Sequence, residues 1–201
     1  MIKCLGVLSS GEGSNLQSII DSTNGGILKG LAKVVLVISN NPNAYALKRA
    51  EKESIKFACV ERKSFKDEES FNDVILTELQ GMKVDIVCLA GYLRLVGQRI
   101  IRDYRNKVLN IHPALLPKFG GKGMYGCHVH AAVVKSRETV SGATVHLVDE
   151  NYDTGKIIMQ REVRVFENDM PQDVAGRVLA VEHKIYPEAI KILIGDLNKN
   201  L

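Results

Sequence analysis

Five short apolar runs, at residues 5–8, 34–38, 57–60, 86–90 and 108–111, alternate with stretches whose apolar residues recur at helical spacing. No other feature of the chain constrains the fold as much. Helices are expected between the runs at residues 15–22, 44–54, 68–80 and 96–104. Strand, helix, strand in succession is the βαβ unit, which lays its strands parallel and drives its helices onto the sheet faces. Several of the runs are apolar at successive positions, as strands covered on both faces must be. The sequence therefore predicts an α/β fold: a doubly wound, mostly parallel sheet of Rossmann-like kind with helices on both faces.

After Asn110 the rhythm changes. A Gly-rich loop at 118–126, a short helix at 129–135, strands at 144–148 and 156–165 and a final amphipathic helix follow. No repeat, low-complexity tract or linker separates the two parts, and 201 residues are ample for one buried core and short for two. A single domain over residues 1–201 is expected, with halves at 1–109 and 110–201. The formal charge of +4 comes from scattered Lys and Arg with little aromatic interleaving, so nucleic acid is not an expected partner. Clusters such as Lys48-Arg49 read as solvated helix faces. The apolar core of Met1-Ile2-Lys3-Cys4-Leu5-Gly6-Val7-Leu8 is too short for a signal peptide and reads as a first strand, and nothing in the sequence reads as a membrane span. Cys4, Cys59 and Cys88 lie in strand-like runs and are expected as reduced, buried thiols, which with Cys127 fits a cytoplasmic chain.

The chemistry concentrates in Asn110-Ile111-His112-Pro113. Residues two apart on a strand share a face, so the amide and the imidazole project together, and Pro113 ends the strand. An amide donates to a developing oxyanion and an imidazole can donate or carry a proton, a pairing suited to the tetrahedral intermediate of acyl transfer. The same residues could instead merely make hydrogen bonds at a strand end. Farther on, Asp149-Glu150-Asn151-Tyr152-Asp153-Thr154-Gly155 is a turn-rich loop with three carboxylates, and one of them beside His112 would orient and charge it. Such a set contains no serine or cysteine nucleophile, which points to an amine of the substrate as the attacking group.

The first strand runs into Ser9-Ser10-Gly11-Glu12-Gly13-Ser14-Asn15-Leu16, where small residues let backbone N–H groups face an anion at a helix N-terminus. The loop lacks the Gly-Lys-Ser/Thr ending of a Walker A loop, and Leu16 stands where the third Gly of G-x-G-x-x-G belongs. A plain tight turn capped by Ser14 or Asn15 is the other reading. Cys127-His128-Val129-His130 has the residue types of a metal site, but the segment reads as helix, where positions two apart diverge, and no metal is expected. His146, on an expected strand, is either a satisfied core side chain or a neighbour of the catalytic set.

Together these segments resemble the phosphoribosylglycinamide formyltransferases of purine synthesis, which take their formyl group from 10-formyltetrahydrofolate. Ser10 to Leu16 is similar to that family's phosphate loop, Leu89-Ala90-Gly91-Tyr92-Leu93-Arg94 to its folate-pocket segment, and Asn110-Ile111-His112-Pro113-Ala114-Leu115-Leu116-Pro117-Lys118 to its catalytic signature. The resemblance implies Asn110, His112 and Asp153 as the catalytic trio. It implies Gly13, Ser14 and Asn15 as the phosphate site and Glu182 near the glycinamide end of the acceptor. Leu93, Arg94, Leu95 and Val96, with Asp149, Glu150, Asn151 and Tyr152, would border the pterin. Residues 1–109 would then be the phosphate-binding half and 110–201 the catalytic and folate-binding half. The implied partners are phosphoribosylglycinamide and the folate co-substrate alone, with no nucleic acid, no membrane and no metal, in a monomer or homodimer.

Two positions depart from the family pattern. Glu12 would oppose a phosphate unless it points away, so it is expected to face solvent. Glu68 stands where some relatives carry an arginine near the folate tail, a contact Lys66 could take over. Asp153 is expected to favour protonated His112. Methionyl-tRNA formyltransferases and formyltetrahydrofolate hydrolases share an Asn, His and Asp set, but the extra domain of either is not expected in 201 residues. A noncatalytic nucleotide-binding protein could use the same first loop.

Overall fold

The computed structural model describes residues 1–199; residues 200 and 201, the last two of the expected domain, lie outside the described residues. The strands are β1 (Lys3–Leu8), β2 (Ala32–Ser39), β3 (Lys56–Cys59), β4 (Ile86–Leu89), β5 (Val108–His112), β6 (Val140–Leu147) and β7 (Ile157–Arg164). The helices are α1 (Ser14–Asn24), α2 (Tyr45–Lys52), α3 (Glu68–Gly81), α4 (Gln98–Asp103), α5 (Cys127–Lys135) and α6 (Pro171–Lys199). One seven-stranded sheet runs in the order β3-β2-β1-β4-β5-β6-β7. Its first five strands are parallel, and β6 and β7 add on antiparallel. The fold is the doubly wound α/β sheet that the sequence predicts.

Period-two alternation divides the strand side chains between two cores. Leu5, Val7, Cys88, Leu109 and Ile111 pack with Leu16, Ile19 and Ile20 of α1, Ala46 and Ala50 of α2 and the apolar stripe of α6. Leu8, Leu36, Ile38, Val87 and Val108 face the opposite side, against Phe71, Ile75 and Leu79 of α3 and Ile100 of α4. The local sequence starts α3 where Asp67 accepts the Ser70 N–H at 2.8 Å, an N-cap.

The expectation of three buried thiols needs correction. Cys88, on central β4, is buried, and burial pushes its thiol up to about 12. Cys4 is half-buried, and Cys59 is exposed because β3 is the edge of the sheet, with one neighbour and little cover. An apolar run alone does not distinguish an edge strand from a central one.

Strand order also decides where a ligand can bind. From β1 the chain winds outward to β2 and β3, then returns to place β4 on the other side of β1, so the connections after β1 and β4 diverge and leave a crevice at their carboxyl ends. The Ser10 N–H donates to the Gly91 carbonyl at 3.0 Å and joins the two lips at its base.

Candidate active site

A cleft of about 410 Å³ opens at this crevice and continues over the carboxyl end of β5. It falls in the range of small-molecule sites, roughly 300–1,000 Å³. Asn110 and His112 both line it, as their spacing on β5 requires, and the strand ends at His112, immediately before Pro113. Asp153 reaches the same point from the loop after β6 and adopts a left-handed backbone with φ 55°. Its Oδ2 lies 3.6 Å from His112 Nδ1, and its Oδ1 lies 3.5 Å from Asn110 Nδ2.

The antiparallel register of β6 brings in a fourth group. Asn110 pairs directly with His146 across the strands, where side chains on one face meet. Asn110 Nδ2 and His146 Nε2 are 3.1 Å apart, and His146 Nδ1 lies 2.8 Å from the Leu147 carbonyl. A carbonyl only accepts, so Nδ1 carries the ring proton and Nε2 accepts from the Asn110 amide. His146 is thus buried and satisfied, and it is also a neighbour of the trio. The spacing of residues along β5 and β6 separately carries no sign of this contact; only the register between them does.

The Gly-rich loop covers the set. Phe119 accepts at its carbonyl from His112 Nε2 at 2.8 Å, and the Gly121 N–H donates to Asp153 Oδ2 at 2.9 Å. With Nε2 donating, neutral His112 turns an unprotonated Nδ1 toward the Asp153 carboxylate. Burial holds the imidazole below its usual range, and the nearby carboxylate only partly offsets that. Asp153 does favour the protonated form as expected, but desolvation of a ring only 3% exposed outweighs an attraction acting across 3.6 Å. Burial pushes Asp153 up, but the Gly121 N–H bond and the two neighbouring imidazoles, which favour the carboxylate, outweigh it and hold the carboxyl below its ordinary value.

At the other end, Gly13 sits with φ 70° as the N-cap of α1. A Cβ there would stand 2.9 Å from the Ala46 backbone, so glycine is required on both grounds. Neither Ser14 nor Asn15 caps the helix, which overturns the capped-turn reading and leaves the first-turn N–H groups without a side-chain acceptor. Asn15 instead donates from Nδ2 to Glu182 Oε2 of α6 at 2.6 Å. Burial raises the Glu182 carboxyl above its usual range, and the Asn15 bond partly offsets this. Asn15 and Glu182 line the cleft; Gly13 and Ser14 fall outside the lining. Glu12 is exposed, and its carbonyl accepts from Arg49 Nε at 2.8 Å.

Leu93, Arg94, Leu95 and Val96 form one lip, joined by Tyr92, and Asn151 and Tyr152 form the facing one. Asp149 and Glu150 fall outside the lining. The Asp149 carboxylate turns inward to its own loop, accepting from the Asn151 N–H at 2.9 Å and the Thr154 hydroxyl at 2.7 Å, while Glu150 is exposed. Glu68 pairs with Arg62 and Arg94, and Lys66 approaches only its neighbour Asp67. On α5, Cys127 and His130 line the cleft, whereas His128 is exposed and meets the Tyr125 ring edge-on, so the two histidines diverge as helix geometry demands. No residue pattern in the sequence marked Met124, Tyr125 or His130 as lining; the fold of the Gly-rich loop brings them there.

Residues 3–190 match the family model described as formyl transferase. The chain is 38% identical over 190 residues to the phosphoribosylglycinamide formyltransferase of Haemophilus influenzae, covering 94% of this chain and 86% of that protein. It is 40% identical over 189 residues to the chloroplastic phosphoribosylglycinamide formyltransferase of Arabidopsis thaliana, covering 94% of this chain and 64% of that protein. It spans only 14% of the trifunctional purine biosynthetic protein adenosine-3 of Chironomus tentans. Among solved structures, glycinamide ribonucleotide transformylase 1 from Symbiobacterium toebii superposes with a TM-score of 0.90 at 37% identity, covering 97% of this chain and 89% of that one.

Proposed function

The chain belongs to the formyl transferase family, and from that premise we propose that it transfers the formyl group of 10-formyltetrahydrofolate to the amine of 5-phosphoribosylglycinamide. The products are formylglycinamide ribonucleotide and tetrahydrofolate, in purine biosynthesis. The observation that carries this reading is the convergence of Asn110, His112 and Asp153 in one cleft whose other end opens at the uncapped N-terminus of α1. Residues of that kind suit acyl transfer to an amine, and helix N–H groups suit a phosphate.

In this reading the acceptor's phosphate lies against Gly13, Ser14 and Asn15, its glycinamide end lies near Glu182, and its amine reaches His112. The apolar lip of Leu93, Leu95 and Val96, facing Asn151 and Tyr152, suits a flat pterin ring. The amine nitrogen bonds to the formyl carbon, and the second Asn110 amide hydrogen, engaged at rest only by a 3.5 Å contact to Asp153, turns to the oxyanion. Neutral His112 takes the amine proton at Nδ1, Asp153 stabilises the imidazolium so formed, and the proton passes to the folate nitrogen as its bond to carbon breaks. No enzyme-bound formyl group is needed. The same reading carries a single formyltransferase domain with a phosphate-binding half at 1–109 and a catalytic and folate-binding half at 110–201, a cytoplasmic setting, and a monomer or homodimer.

The test mixes purified protein with 10-formyltetrahydrofolate, with and without phosphoribosylglycinamide, and follows deformylation by absorbance. Release that requires the amine supports the proposal. Release without it favours a hydrolase, and no release overturns the reading.

A further inference from the structure

Helix α6 is tied to the elements around the cleft at two levels one turn apart. At the first, Glu182 accepts from Asn15 and ties the helix to the start of α1. At the second, Tyr186, fully buried, directs its hydroxyl to two backbone carbonyls at once, Leu89 at 3.0 Å and Leu109 at 3.1 Å. Leu89 is the last residue of β4, and Leu109 immediately precedes Asn110 on β5. Two carbonyl oxygens cannot bond to each other, since both only accept; a shared hydroxyl proton draws them to one point. The catalytic steps above use none of these contacts.

We propose that Tyr186 is a positioning residue: by tying α6 to the ends of β4 and β5, it holds Asn110 at a set distance from the α1 loop, so that α6 gauges the span between the acceptor's anionic end and its amine. The inference rests on the acceptor reading above, because only a substrate reaching from α1 to β5 makes that span matter. The two ties lie on one helix four residues apart, one turn of its backbone. Loosening either tie therefore moves one end of the substrate relative to the other, and small misplacements of reacting groups lower turnover steeply.

Tyr186→Phe removes the hydroxyl and keeps the ring. The expected result is a kcat lower by about tenfold, with both KM values within about twofold of wild type, since the groups that bind substrate are untouched. Ile190→Val, one turn farther along α6 and also buried, serves as the control for a general loss of packing. Amide hydrogen exchange at Ala90 and Asn110 gives a second readout, expected to quicken in Tyr186→Phe and not in Ile190→Val. A kcat for Tyr186→Phe no lower than that of Ile190→Val, or unchanged exchange at both amides, overturns the inference. If the wild-type protein shows no amine-dependent transfer, the acceptor reading fails and the gauging role with it, while the exchange data still decide whether the tie exists.

Discussion

Replacing Asn110 by alanine removes a single donor from the cleft, and the structure bounds the consequences. The amide nitrogen carries two hydrogens, one given to His146 Nε2 at 3.1 Å and one engaged only by the 3.5 Å contact to Asp153. The second is the one free to follow an oxyanion, so the variant loses one donor that acts in the transition state. Loss of such a donor costs about 100- to 1,000-fold in kcat, about 2.7–4 kcal/mol. Folding suffers less: His146 Nε2 is left without its donor, at about 1–3 kcal/mol. For a chain of this size that lowers Tm by roughly 2–4 °C per kcal/mol. Steady-state turnover by folate absorbance, with Tm measured on the same preparation, separates the two effects. A folded Asn110→Ala variant whose kcat stays within about threefold of wild type would refute the reasoning, because no other donor in the proposed mechanism takes over the oxyanion.

His112 carries a pH prediction. Its pKa lies below the ordinary value, so the neutral ring needed as base persists at neutral pH, and kcat/KM should fall only as pH drops below about 6.5. Removing the opposing carboxylate with Asp153→Asn takes away a charge that raises that pKa, so the acid limb should move to lower pH while kcat falls; a limb moving upward would contradict the assignment. Glu182 has the opposite sign, since its folded pKa is raised: the fold holds its proton longer than the unfolded chain does, and stability is lost as pH rises above about 4.5. Glu182→Gln should therefore gain in Tm relative to wild type as pH rises above the ordinary carboxylate range, and calorimetry across a pH series checks it. Gly13→Ala meets both a φ of 70° and an Ala46 backbone atom 2.9 Å from the new Cβ, so it should cost about 1–3 kcal/mol and raise KM for the phosphorylated acceptor more than for the folate. Equal KM changes for both substrates would argue against a phosphate site there.

Much of the architecture is local and could be read from the chain. The β1 to β5 runs, the helices between them and the stop at Pro113 rest on periodicity and backbone chemistry within a few residues. The pairing of Asn110 with His112 on one face follows from a spacing of two. β6 is longer than its sequence pattern predicts, because its first residues, Val140-Ser141-Gly142, look like a turn in isolation and become strand only through pairing with β7. α4 starts two residues later than its spacing predicts because Val96 and Gly97 serve the cleft lip and its anchor: the Gly97 N–H donates to Asn72 Oδ1 at 2.9 Å.

The site divides the same way. The sequence by itself determined which groups could act, an amide and an imidazole at the end of a strand, a carboxylate loop after them and a small-residue loop at a helix start, because each is a short-range pattern. Only the tertiary structure decided that His146 faces Asn110, that Asp149 closes its own turn while Asp153 reaches His112, that Cys59 lies at an edge, and that His112 rests neutral. Each of these depends on strand register or on burial, and both are set by segments far apart in the chain, so no local stretch of sequence carries them.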